Sequence, residues 1–203
     1  MGHNYAMATS TAKPSTVVLG SQAPDFELPA LDGPMVKLSD FANAPAFLVA
    51  FLSNSCPFSR HIEQALGRVC GDFSQAVLAT VAICSSDTEV KPEDDVEHLW
   101  EQAERGKFWF PYLIDETQEV AKAYHAERTP EFFLYNENRE LVYHGQLDAS
   151  RPDNEIPSDG KLFRTIVEHV LFMEPLPDEP QVPTDGTPIA WKPGNVPGEN
   201  SGA

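Results

Sequence analysis

The sequence predicts an α/β domain with a mixed central sheet flanked by helices. Two observations carry this. Ala46–Ser53 (AFLVAFLS) and Ala76–Cys84 (AVLATVAIC) are short, nearly unbroken apolar runs, the pattern of strands buried on both faces. Between them Ile62, Ala65, Leu66, Val69 and Cys70 recur at helical spacing and make one apolar face. Such a strand–helix–strand unit implies a parallel pair with a right-handed crossover.

The remaining elements follow in chain order. Asp25–Leu28 and Met35–Leu38 flank Asp32-Gly33 and predict an N-terminal β-hairpin extension. After the two buried strands, Pro92–Arg105 reads as an acidic helix with Pro92 near its first turn. Its Glu93, Asp94, Asp95 and Glu97 read as a solvated face favoured by the helix dipole. Phe108, Trp109 and Phe110 are assigned to the core. Thr117–His125 is a short helix with Val120, Ala121 and Tyr124 inward. Glu131–Tyr135 and Glu140–Gly145 form a hairpin around Asn136–Arg139, so the later strands are antiparallel. Leu162, Phe163, Ile166, Val167, Val170 and Leu171 define the last helix.

The two ends differ from this pattern. Residues 1–16 are small and polar and predict a disordered tail, leaving 17–174 as the domain. Residues 175–203 hold seven of the 18 prolines, which forbids helix or central strand and predicts an extended tail. Ile189 and Trp191 within it predict that the tail docks on the domain.

Composition narrows the function. The 203 residues carry 14 Lys and Arg against 31 Asp and Glu, a net charge of −17. That field repels nucleic acid and anionic membrane, and neither is expected as a partner. No stretch reaches the roughly 18 apolar residues of a membrane span. Met1–Gly20 has neither a basic segment nor an apolar one of the secretory kind. Three cysteines do not make a disulfide scaffold and suit a reducing compartment, so the cytoplasm is expected. His3, His61, His98, His125, His144 and His169 show no metal-binding spacing, and no metal or cofactor is expected.

Chemistry concentrates at Cys56. It sits where a buried strand ends and a helix begins, with Pro57 suited to the first helical turn. There a thiol faces unpaired backbone N–H groups and the positive end of the helix dipole, and both favour the nucleophilic thiolate. Arg60, one turn on, can add positive charge, and Ser59 a hydroxyl hydrogen bond. His61 is a weaker candidate base and reads as a solvated histidine.

Cys56-Pro57-Phe58-Ser59 after an apolar strand resembles the C-x-x-C site of thioredoxin folds, with Ser in place of the second Cys. Gly20-Ser21-Gln22-Ala23-Pro24-Asp25-Phe26-Glu27-Leu28, Asp32-Gly33 and Leu38-Ser39-Asp40-Phe41 resemble the opening of the alkyl hydroperoxide reductase/thiol-specific antioxidant (AhpC/TSA) family. Asn54-Ser55, the stretch Phe110–Ala121, Tyr143-His144-Gly145 and Trp191–Asn195 resemble bacterial members of that family described as probable thiol-disulfide isomerases. The resemblance spans about Gly20 to Asn195 and implies a thioredoxin-like fold. Thr129-Pro130 resembles the cis-proline element; X-Pro bonds are usually trans, and only the resemblance implies cis here. It then implies that Pro130 packs beside Cys56, and that Thr129 pairs with an extended substrate strand, with Pro57 and Phe58 also on the substrate side.

Three departures bear on the reaction. Ser59 replaces a resolving Cys, so exchange stops at a mixed disulfide until another thiol arrives. Ala50 stands where thioredoxins carry a buried acid, and Thr187 stands where related tails carry a Cys. Cys70 lies roughly 21 Å along the helix from Cys56, beyond the reach of about 7 Å that a disulfide allows. Cys84 ends the neighbouring strand at the same sheet edge and is a candidate resolving thiol. For peroxide reduction, Ser53 matches the hydroxyl position of the peroxiredoxin motif. Val49 misses its proline and Pro130 coincides with its arginine, for which Arg60 or Arg128 would have to substitute.

The resulting expectation is a thiol-dependent oxidoreductase that uses Cys56 as a single nucleophile for thiol-disulfide exchange or peroxide reduction. Its expected partners are protein or small-molecule thiols and disulfides, with glutathione and peroxides among them. The alternative is a non-catalytic binding module that has lost its resolving cysteines.

Overall fold

The computed structural model describes residues 17–176 and 185–197; the expectation of disorder over 1–16 lies outside them. The central sheet has five strands: β3 (Ala46–Phe51), β4 (Leu78–Cys84), β5 (Tyr112–Ile114), β7 (Glu131–Tyr135) and β8 (Leu141–Gly145). Their order is β5-β4-β3-β7-β8. β3, β4 and β5 run parallel, while β7 is antiparallel to both β3 and β8. β1 (Glu27–Pro29) and β2 (Met35–Lys37) form the N-terminal hairpin.

Every residue of β3 and β4 is buried, as unbroken apolar runs require when both sheet faces are covered. Alternation along β3 sorts its side chains into two cores. Ala46, Leu48 and Ala50 face α1 (Pro57–Asp72), α2 (Val96–Gly106) and α4 (Lys161–Leu171) through Ile62, Leu66, Leu99, Phe163 and Val167. Phe47, Val49 and Phe51 face the other way, toward the hairpin residues Phe26 and Leu28 and toward α3 (Glu119–Tyr124).

The acidic stretch departs from the expectation of one solvated helix. Pro92–Asp94 is a single 3-10 turn, and α2 begins anew at Asp95, whose side chain caps the N–H of His98. Asp94 is 2% exposed, so it does not belong to a solvated face. Trp109 is 79% exposed; of the aromatic triplet only Phe110 is buried in the core and Phe108 packs at its edge.

The described part of the tail runs extended across the domain. β6 (Arg128–Thr129) pairs antiparallel with β9 (Thr187–Pro188). Ile189 is 4% exposed in the second core, a burial that contributes about 2 kcal/mol, and Trp191 packs against the same cluster. Gln118, itself buried, fastens the segment: its Nε2 donates to the Ala190 carbonyl (2.8 Å), and its Oε1 accepts from Lys192 N–H (2.8 Å) and Asn195 Nδ2 (3.0 Å).

Candidate active site

Cys56 is the N-cap of α1, and Pro57 occupies its first turn. The apolar strand delivers the chain to the carboxyl edge of the sheet, and the proline starts the helix where its missing N–H is not needed. Cys56 Sγ accepts from Ser59 N–H at 3.4 Å, one of the donors a helix start leaves unpaired. The Thr129–Pro130 bond is cis, and the thiol donates to the Thr129 carbonyl at 2.9 Å. Pro130 is buried at the same place.

Opposing influences set the thiol's acidity. Burial raises its pKa. Hydrogen bonds to the sulfur lower it: from the Thr187 hydroxyl, from Ser59 N–H, from the Thr129 hydroxyl and from Thr187 N–H. The donors win, and the pKa falls below the ordinary thiol value. At Cys70 and Cys84 burial outweighs the donors, Thr80 at Cys70 and Ser86 at Cys84, and with the Asp94 and Asp115 carboxylates adding to the rise at Cys84 each is pushed up to about 12. All three cysteines are free thiols.

Around Cys56 gather Ser59 through its backbone, Thr129, Pro130 and Thr187. Arg60 is exposed on α1, and its guanidinium is not among the groups that lower the thiol's pKa. The donor at the helix start is the Ser59 N–H; its hydroxyl is fully buried without a hydrogen-bond partner. Pro57 is exposed and Phe58 half-buried beside the thiol. His61 is turned aside, with Nε2 2.6 Å from Ser150 Oγ.

A buried carboxylate missed by the sequence analysis holds the loop that leads to the thiol. Asp94 accepts from Ser53 Oγ (2.8 Å), Ser55 N–H (2.8 Å) and Ser55 Oγ (3.0 Å). Asn54 between them donates to the Glu93 carbonyl (2.8 Å) and accepts from Arg105 (2.6 Å), which also pairs with Glu63 at 3.0 Å. The Ser53 hydroxyl is thus committed to Asp94 rather than free to orient a peroxide. The partners of Asp94 lie about forty residues away in the Ser53–Ser55 loop, a contact that sequence pattern does not show. On the opposite side, buried Glu131 accepts from Glu127 N–H (2.9 Å) and Arg128 N–H (3.1 Å) and pairs with His144 at 2.6 Å, fixing the approach to Pro130.

Asp94→Ala is expected to leave the Ser55 N–H without its acceptor and the Ser53 and Ser55 hydroxyls with only each other, lowering stability by about 2 kcal/mol in denaturant unfolding. Asp94→Asn, which keeps an acceptor oxygen, should lose markedly less. Equal losses would show that Asp94 acts through its charge instead.

The AhpC/TSA family model matches residues 19–144. The chain belongs to the AhpC/TSA family. Its fold is thioredoxin-like. A hypothetical protein of Sinorhizobium meliloti 1021 is 43% identical, with a TM-score of 0.84 over 88% of this chain and 97% of that one. An uncharacterized conserved protein of Geobacillus kaustophilus is also 43% identical, with a TM-score of 0.82 over 87% and 93%. The thioredoxin domain of a thiol-disulfide oxidoreductase of Bacteroides vulgatus shares the fold at 20% identity, with a TM-score of 0.58 over 76% and 99%. No curated protein matches the chain. Among the described residues no helix is long and apolar enough to cross a membrane, and no His, Cys, Asp and Glu side chains group to hold a metal ion.

Proposed function

We propose that this AhpC/TSA protein is a thiol-disulfide oxidoreductase with Cys56 as its single nucleophile. The donor set on the Cys56 sulfur carries the reading, because stabilised thiolate is the attacking species in thiol exchange. The Cys56 thiolate attacks one sulfur of a substrate disulfide. The Cys56–substrate S–S bond forms as the substrate S–S bond breaks, and the departing thiolate takes a proton. With Ser at 59, a second thiol then attacks the mixed disulfide and restores the Cys56 thiolate. That thiol comes from the client or from a small molecule such as glutathione, so the reaction transfers or rearranges disulfides without net oxidation of the protein. A reducing cytoplasm would supply the thiol. The commitment of Ser53 to Asp94 and the exposure of Arg60 weigh against peroxide reduction.

The test is incubation with a glutathionylated peptide and excess glutathione. Mass spectrometry should find a mixed disulfide on Cys56, and deglutathionylation should exceed the uncatalysed rate at least tenfold and vanish in Cys56→Ser. Absence of both adduct and turnover, with Cys56 still open to alkylation, would favour the binding-module reading.

A further inference from the structure

Cys56 is 0% exposed, although disulfide exchange requires another sulfur to reach it. The tail is part of what closes it. Thr187 lies in register opposite Thr129, and Arg128 opposite Pro188. This puts a strand of the chain itself on the edge that precedes Pro130. Thr187 is also among the groups that lower the Cys56 pKa. The approach is as close as a backbone permits: a Cβ on Gly186 would stand 2.3 Å from the Thr129 carbonyl oxygen. Charged side chains hold the same segment, Arg128 donating to the Gly186 carbonyl (3.2 Å) and Arg151 pairing with Asp185 (3.1 Å).

The segment divides into two parts. From Ile189 onward it is held by core burial, by the Ile189 N–H bond to the Glu127 carbonyl (3.0 Å) and by the buried Gln118. Asp185–Pro188 has a different footing. Asp185 and Pro188 are exposed, Gly186 and Thr187 half-buried, and the contacts are strand pairing and polar side-chain bonds that an incoming peptide can duplicate.

We propose that Asp185–Pro188 is a built-in pseudo-substrate strap, which fills the strand edge beside Cys56 and is displaced by an extended client peptide pairing with Arg128–Thr129. This rests on the oxidoreductase reading above. The register says what the client brings: its disulfide-bonded cysteine takes the place of Thr187, so that its sulfur meets Cys56, and a residue without a large side chain takes the place of Gly186. The strap that blocks the thiol also helps to lower its pKa. Opening therefore exposes Cys56 and removes part of that lowering at once.

Gly186→Ala releases the strap alone, because its Cβ cannot fit against Thr129 while the Ile189–Asn195 anchor is untouched. In iodoacetamide labelling against pH, the plateau rate at Cys56 reports access and the inflection reports acidity. Gly186→Ala should raise the plateau at least tenfold and move the inflection upward. An excess of a synthetic peptide of residues 185–188 should slow labelling of that variant back toward the wild-type rate. Thr187→Cys is the second probe. Diamide, which takes two electrons and two protons from a pair of thiols, should join Cys56 to the substituted position and abolish labelling until dithiothreitol is added. An unchanged plateau in Gly186→Ala, or no crosslink in Thr187→Cys, overturns the strap. The deglutathionylation assay keeps the two readings apart. Labelling that rises without any exchange activity would uphold the strap and reject the oxidoreductase, whereas exchange with unchanged labelling would do the reverse.

Discussion

Alkylation of the native protein is expected to follow one titration, that of Cys56, with an inflection below the ordinary cysteine value of about 8.5. Only thiolate reacts, so reaction rises as pH climbs through the thiol's pKa, and a lowered pKa brings that rise to lower pH. Cys70 and Cys84, pushed up to about 12, stay protonated throughout. At neutral pH such thiols are almost wholly protonated. Cys56→Ser should therefore remove at least 99% of labelling near neutrality, an effect of about 100-fold, while Cys70→Ser and Cys84→Ser leave it unchanged. Peptide mass spectrometry after iodoacetamide treatment across about pH 5 to 10 reads all three sites. Two further substitutions assign the donors. Ser59→Ala should leave the inflection in place, because the Ser59 N–H and not its hydroxyl bonds the sulfur. Thr187→Val should move it upward, because a donor hydroxyl is lost. An inflection at or above 8.5 in the wild type, or substantial labelling in Cys56→Ser, would reject Cys56 as an activated nucleophile.

The sequence makes the frame of this site legible and leaves its closure hidden. Ala46–Ser53 and Ala76–Cys84 could only be doubly buried strands, and the Cys56-Pro57 junction follows from where the first of them stops. β5 was missed because Tyr112–Ile114 is three residues long, too short for periodicity to register. β6 and β9 are shorter still and exist only because they find each other. Asp94 looked like one more solvated acid in a run of acids. Its neighbours in sequence are indeed charged, and only this carboxylate turns inward to the distant donors of Ser53 and Ser55. Thr187 shows a different limit. In sequence it registers as a cysteine that is absent. In the structure the Thr187 hydroxyl helps to lower the Cys56 pKa, a role that motif comparison could not assign because it depends on the tail crossing back to β6.

The helices that carry these groups meet backbone to backbone, and that contact sets the largest expected loss of stability. A Cβ added at Gly67 on α1 would lie 1.7 Å from the carbonyl oxygen of Gly106 at the end of α2 and 2.9 Å from its carbon. Neither atom belongs to a side chain that could swing away, so Gly67→Ala must push the helices apart. The expected cost is about 3 kcal/mol or more. For a domain of this size that lowers the melting temperature by about 6–12 °C. Gly71→Ala, one turn further along the same helix, is the internal control. Its nearest neighbour would be Trp109 Cδ1 at 3.9 Å, an ordinary contact, and alanine's helix preference should leave stability unchanged or raise it by up to about 1 kcal/mol. Thermal unfolding followed by circular dichroism compares the two, and equal shifts would dismiss the close approach as the cause. The same separation must reach the thiol. Arg105 on α2 grips Glu63 on α1 and Asn54 in the loop, and Asp94 just ahead of α2 holds Ser53 and Ser55. Gly67→Ala should therefore also shift the Cys56 labelling inflection below the melting transition, whereas a purely local packing defect would lower the melting temperature and leave the inflection where it is.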